Sequence, residues 1–184
     1  MFLKIYYQMK MEIFYQKIKN RRMKNSIIRH YEQINDDNLK LIGYQPKMDC
    51  SGIWTSGIGH AIIYKGEFLK GAKNRDLAYK LGTLQDIVEV ENLLEQDIKP
   101  FNLLIARKIT RPLNENEHEA LLSFLFNCGS SSTLFRLINS YSKDLYDWWC
   151  THYITSDGIK RNGLIYRRHS EALQFRDDII KFFN

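Results

Sequence analysis

Several things are scarce in this 184-residue chain, and each scarcity excludes something. The opening segment MFLKIYYQMKMEIFYQKIKNRRMK has apolar runs only a few residues long, each interrupted by lysine or another polar residue. A membrane span needs roughly 20 apolar residues and a signal-peptide core roughly 7 to 15, so neither is expected there. Cysteine is limited to Cys50, Cys128 and Cys150, widely spaced and without a CxxC pair. That excludes a disulfide framework and a thiolate zinc site, and points to buried thiols in a protein folded in a reducing cytoplasm. No GxxxxGK phosphate loop, HExxH metal helix or GxSxG nucleophile elbow occurs. The GIGH at residues 57 to 60 holds two glycines of a dinucleotide fingerprint but follows no βαβ pattern. Internal repeats and low-complexity linkers are missing as well.

Acid is also scarce at the start. Before Asn25, Lys4, Lys10, Lys17, Lys19, Arg21, Arg22 and Lys24 face the single acid Glu12, which accounts for the whole formal net charge of +6. The rest of the chain is balanced. Residues 1–24 are therefore expected to be a basic extension, and Met11 and Met23 are alternative starts that would shorten or remove it. If native, the extension would favour nucleic acid or an anionic membrane surface. Hydrophobic content of 44% and charged content of 26% describe a globular chain. Its length suits one domain with a well-buried core.

Ser26 to Glu32 (SIIRHYE) sets Ile27, Ile28 and Tyr31 at helical spacing behind a serine suited to capping. Glu32 falls at the C-terminal end of that helix, where a carboxylate faces the negative pole of the dipole. The polar run Asn35 to Asn38 reads as a loop, Ile53 to Tyr64 as strand, and Lys65-Gly66 as a turn. From there on the pattern is helical. One long helix starts at Ile87, with a kink expected at Pro100. Another opens on the capping-box pair Asn114 and Glu117 and stops at Gly129. Shorter helices are expected around Thr133 to Ser140 and Lys143 to His152, and a last one from near Gly163. A small helix, a small sheet and then a set of helices make an α+β arrangement. Ligand clefts tend to form where two such lobes meet.

With no cofactor motif, paired carboxylates are the candidate chemistry. Glu32, on a helix with apolar neighbours, suits a protonated acid; Asp49, in a Cys-Ser-Gly turn, suits an ionised partner. Glycosidic bond hydrolysis needs such a pair. Paired acids are common, however, and the wider pattern is more specific. IIRHYE followed by DCSGIWTSGIGH resembles the catalytic segment of the phage-type lysozymes, the endolysin family also called glycoside hydrolase family 24. PLNENEHEALLSFLFNCGSSSTLFRLIN is similar to that family's long central helix, and GLIYRRHSEALQF to its final helix. Three blocks in the family's order cover nearly everything from Ser26 to Phe175.

The resemblance implies a lysozyme-like fold, with a small antiparallel sheet lobe, a larger helical lobe and a cleft between them, over residues 25–184. It implies a peptidoglycan hydrolase that cleaves between N-acetylmuramic acid and N-acetylglucosamine without metal or cofactor. Position by position, Glu32 corresponds to the general acid, Asp49 to the acid that positions or activates water, and Thr55 to the hydroxyl that helps hold that water. Asn127 matches an amide beside the saccharide. One of Arg167 and Arg168 matches an arginine near the catalytic glutamate. Gly57 and Gly59 would let the strand pass close to the cleft, with His60 a structural partner beneath the sheet. Ordinary surface pairs with Glu171 are the alternative for the two arginines, and Trp148 and Trp149 are expected in the core or along the cleft.

The chain departs from the family between the two carboxylates. Glu32 lies further upstream of Asp49 than the family places it, Gln33 replaces the usual glycine, and an ungapped alignment would put Lys40 at the acid's position. Lysine is no general acid of comparable strength without extreme burial. An insertion in the loop holding Asn35 to Asn38 costs little closure entropy and keeps Glu32 in the role. The expected partner is the glycan of bacterial peptidoglycan, met by a monomer made in the cytoplasm and delivered by a membrane pore or a secretion apparatus. Two rivals stand beside this reading: a glycan-binding relative that has lost turnover, and a nucleic-acid or membrane-surface binder working through residues 1–24.

Overall fold

The computed structural model describes residues 25–32, 44–49 and 51–183. The basic extension, the loop at Asn35 to Asn38 and Cys50 lie outside the described residues. The fold is α+β, and its contacts cluster into two compact units. Among the described residues, one unit holds 25–26 and 44–95, the other 27–32 and 96–183.

The first unit carries the sheet. β1 (Lys47–Met48), β2 (Trp54–Ser56) and β3 (His60–Ala61) run antiparallel in that order. Lys47 pairs with Thr55, Met48 with Trp54, Thr55 with Ala61 and Ser56 with His60. The single strand expected from Ile53 to Tyr64 is therefore broken. Gly57 and Gly59, at φ 59° and 72°, take left-handed backbone that costs glycine little, and they return the chain from β2 into β3. Lys65 and Gly66, both with positive φ, then join β4 (Ile63–Tyr64) to β5 (Glu67–Phe68), as the sequence predicts. Trp54, Ile62, Leu69 and Ala78 form a core, and the Trp54 indole donates to the Gly71 carbonyl at 2.9 Å. A short helix, α2 (Arg75–Gly82), supplies Ala78 to that core; the sequence reading leaves this helix out.

α1 (Ser26–Glu32) forms where expected, with Ile27 and Ile28 buried. Ser26 does not cap it: the serine is the first helical residue and its buried hydroxyl has no partner among the described residues. α3 (Ile87–Lys108) continues through Pro100. The N–H that proline lacks would have bonded the Gln96 carbonyl, and Gln96 is exposed to water, so the helix tolerates the loss. α4 (Glu115–Cys128) opens on the full capping box, with Glu117 N donating to Asn114 Oδ1 at 2.8 Å and Asn114 N to Glu117 Oε2 at 2.9 Å. It closes at Gly129, whose N–H bonds the Leu125 carbonyl. Every residue from Ala120 to Leu125 is buried, so α4 is enclosed on all sides at its middle.

α5 (Ser132–Asn139) and α6 (Leu145–Thr151) follow. Next comes a hairpin of β6 (Thr155–Ser156) and β7 (Ile159–Lys160). This hairpin interrupts the run expected to be all helical, and Asp157-Gly158, both at positive φ, is its turn. α7 (Asn162–Asp177) packs chiefly on α4 and α6. Among the described residues no helix is long and apolar enough to cross a membrane, and no three metal-ligating side chains converge.

Candidate active site

The two carboxylates fall in different units, and each has its own local frame. Asp49 extends β1 by one residue, its N–H donating to the Ile53 carbonyl at 2.8 Å. Its Oδ1 accepts from the N–H groups of Ser51 at 2.9 Å and Ile53 at 2.8 Å, an Asx turn that holds the loop closed. Gly52, at φ 76°, allows that turn. Among the described residues, Oδ2 has no partner, and the side chain is exposed.

Thr55 donates its hydroxyl to the Lys47 carbonyl at 3.2 Å, which leaves its oxygen lone pairs available to accept. Strand alternation and the Lys47–Thr55 pairing set Lys47, Asp49, Ile53 and Thr55 on one face of the β1–β2 ribbon. Trp54, Ser56 and His60 share the opposite face, where Trp54 and Ser56 are buried, so His60 sits on the core side of the sheet. At Gly57 a side chain would meet Leu84, Val90 and Leu93, so the strand passes close to apolar groups there.

Glu32 closes α1 in the other unit. Arg167 Nη1 donates to its Oε1, while Oε2 has no partner among the described residues. Its side chain keeps 23% of its surface exposed, whereas that of Arg167 keeps 3%. Arg167 is held on every side: Nε donates to Glu171 Oε1 at 3.2 Å, and Nη2 to the Ser123 carbonyl at 3.2 Å and hydroxyl at 3.3 Å. Burial on its own would lower the guanidinium pKa. Glu32 first and Glu171 second reverse that, so the group sits above its ordinary value and stays charged.

Glu171, fully buried, is the node of this cluster. Its Oε1 also accepts from Ser123 Oγ at 2.7 Å and Arg168 Nη2 at 2.8 Å, and its Oε2 from the Trp149 indole at 3.1 Å. The surface pairs considered for Arg167 and Arg168 are thus replaced by interior ones, and Trp149 is a core residue. Arg168, also fully buried, donates to Cys128 Sγ and lies 5.0 Å from the Phe124 ring. With 3% and 0% of their surface exposed, neither arginine has surface to offer a saccharide. Asn127, at the end of α4, is exposed and accepts from Cys128 Sγ at 3.4 Å.

Sequence reasoning missed Ser123 and undervalued Glu171, while Trp149 takes the core place that was one of the two expected for it. The signal for Glu171 was present: it follows Arg167 by four positions and Arg168 by three, the spacings that meet on a helix.

The family model described as phage lysozyme matches residues 41–171. That span takes in Asp49, Thr55, Asn127 and the arginine cluster and begins after Glu32. An endolysin of Acyrthosiphon pisum secondary endosymbiont phage 1 is 27% identical over 157 residues, covering 81% of this chain and 92% of that protein. Among solved structures, the endolysin from Escherichia coli O157:H7 phage FAHEc1 matches with a TM-score of 0.63 at 24% identity, over 85% of this chain and 92% of that one. The muramidase domain of SpmX from Asticaccaulis excentricus matches with a TM-score of 0.58 at 21% identity, over 84% and 95%. At such identity the two structures speak to the fold alone.

Proposed function

This chain belongs to the phage lysozyme family, and on that premise we propose that it cleaves peptidoglycan between N-acetylmuramic acid and N-acetylglucosamine, with Glu32 as general acid and Asp49 and Thr55 holding the attacking water. That it is a peptidoglycan hydrolase of lysozyme type follows from the family. The bond chosen and the residues that break it are the proposal.

The observation that carries it is the state of the Glu32 carboxyl. Arg167 fixes Oε1, and Oε2, without a partner among the described residues, is the oxygen proposed to deliver the proton. As the glycosidic C–O bond breaks, that proton passes to the leaving oxygen and the sugar ring takes on oxocarbenium character. Asp49 Oδ2 accepts a proton from water while the Thr55 oxygen accepts the water's other O–H, and attack from the opposite face inverts the anomeric centre. Asn127 is the polar group proposed at the saccharide, and its exposure at the end of α4 supports that use. Action at the bacterial wall fits synthesis in the cytoplasm followed by passage through a membrane pore or a secretion apparatus.

Turbidity clearing of purified walls by wild type, Glu32→Gln and Asp49→Asn tests the proposal. Each substitution keeps the acceptor that the fold uses, Oε1 toward Arg167 or Oδ1 toward Ser51 and Ile53, and removes only the acid chemistry. The expected loss in rate for Glu32→Gln is ~10²–10⁴-fold. Clearing by Glu32→Gln at the wild-type rate would remove Glu32 from the role. Wall binding without clearing by wild type would favour the non-catalytic glycan binder.

A further inference from the structure

Past the end of α7 the chain turns back on itself. Asp178 adopts left-handed backbone (φ 55°, ψ 24°), and its Oδ1 accepts from the side-chain amides of Asn114 at 3.2 Å and Asn116 at 3.3 Å. The reversal is thereby tied to the start of α4. Residues 179–183 then reach α1. The Phe182 ring stacks on His30 with centroids 4.2 Å apart and planes at 15°, and the Phe183 carbonyl accepts from the Tyr31 hydroxyl at 3.3 Å. Ile179 and Ile180 are each 49% exposed, so the anchoring falls to Phe182 and Phe183. Tyr31 is held from a second side as well. Its hydroxyl shares a hydrogen bond with Ser170 Oγ of α7 at 2.9 Å, and its ring lies 5.8 Å from the Arg167 guanidinium carbon.

His30 and Tyr31 are the two residues before Glu32. α1 has only seven residues, well below the roughly 12 to 15 at which an isolated helix becomes even marginally stable, so its last turn depends on what packs against it. We infer that residues 178–183 form a strap that positions the catalytic acid, with Phe182 clamping His30 and the Phe183 carbonyl clamping Tyr31, so that Glu32 stays in register with Arg167. Tyr31, His30 and Phe182 are positioning residues; none of them needs to touch the sugar. The inference rests on the reading of Glu32 as the acid. It adds to that reading a chain segment outside the matched family span, which ends at residue 171.

A displacement of about 1 Å at a reacting group can cost on the order of 10²-fold in rate, so partial fraying of one helical turn has a measurable effect. The test compares full-length Tyr31→Phe, Phe182→Ala and Phe182→Tyr with wild type and Glu32→Gln. Turnover at saturating cell wall, the half-saturating wall concentration and circular dichroism are measured for each. Tyr31→Phe and Phe182→Ala are expected to lower turnover about tenfold while the half-saturating concentration and the dichroism stay unchanged, and Phe182→Tyr to restore wild-type turnover.

Wild-type turnover in both Tyr31→Phe and Phe182→Ala overturns the strap. So does a loss confined to the half-saturating concentration, or one that disappears on cooling as lost dichroism returns, since that loss would be unfolding. An inactive Glu32→Gln beside fully active strap variants defeats the strap alone. An active Glu32→Gln defeats the acid assignment, and the strap inference falls with it.

Discussion

Arg167 Nη1 reaches Glu32 Oε1 across 135 positions of sequence, joining the last residue of α1 to the middle of α7. The arginine behind that contact is fixed by Glu171 and Ser123 before it meets Glu32. Its direction is therefore set by the interior, and a carboxyl at the end of a short helix acquires a rigid partner. Preorganisation of this kind would keep the proposed acid in place without ordering it at each turnover.

Glu171→Gln should be the most damaging single change in this cluster. It removes the charge facing two buried guanidinium groups, and breaking a buried pair typically costs about 3–5 kcal/mol. Urea unfolding at neutral pH measures the loss. An unchanged midpoint would mean that the arginines do not depend on Glu171 for their burial.

Thr55→Val preserves side-chain shape and the β1–β2–β3 backbone ladder while deleting the hydroxyl that bonds the Lys47 carbonyl. Wall-clearing rate should fall by ~10²-fold, with Thr55→Ser close to wild type. Equal rates for valine and threonine would show that the hydroxyl does not handle the water.

Gly129→Ala isolates a backbone effect. At φ 73° and ψ −158° the residue occupies a region reserved almost wholly for glycine, and an added Cβ meets no atom within 4 Å. The cost is therefore conformational strain, about 1–3 kcal/mol. Thermal unfolding would register it; stability at or above wild type would show that the turn adopts another conformation.

The Cys128 thiol should react slowly with iodoacetamide near pH 8. Burial pushes its pKa above the ordinary 9.0, and Arg168 opposes that only in part, so little thiolate forms. The sign of the stability effect follows. A raised folded-state pKa leaves stability intact below the unfolded value near 9 and loses it as pH climbs through the folded value. Alkylation as fast as that of free cysteine at pH 8 would show that Arg168 outweighs burial.

Much of this protein is legible in short stretches of its sequence. Asn114 with Glu117, Gly129 and Lys65-Gly66 each specify a cap or a turn through their own backbone chemistry and close neighbours. The same holds for Asp157-Gly158, which carried an equally clear hairpin signal that the helical pattern on either side obscured. α2 was lost for another reason: it buries only Ala78 and Gly82, so no stripe of large apolar residues marks it. The α+β class and the order of the blocks around Asp49, Thr55 and Asn127 likewise came from local pattern and family resemblance.

Tertiary structure alone decided which arginine meets Glu32. Arg167 and Arg168 are adjacent, and one step along a helix turns a side chain by about 100°, so one arginine faces α1 while the other faces Cys128 and Phe124. Sequence spacing holds no record of how α7 is rotated about its axis; the bonds that Trp149 and Ser123 make to its Glu171 do. The same limit applies to α1. It precedes the sheet in the chain, yet residues 27–32 join the unit built from 96–183, because burying Ile27 and Ile28 stabilises a helix too short to stand by itself.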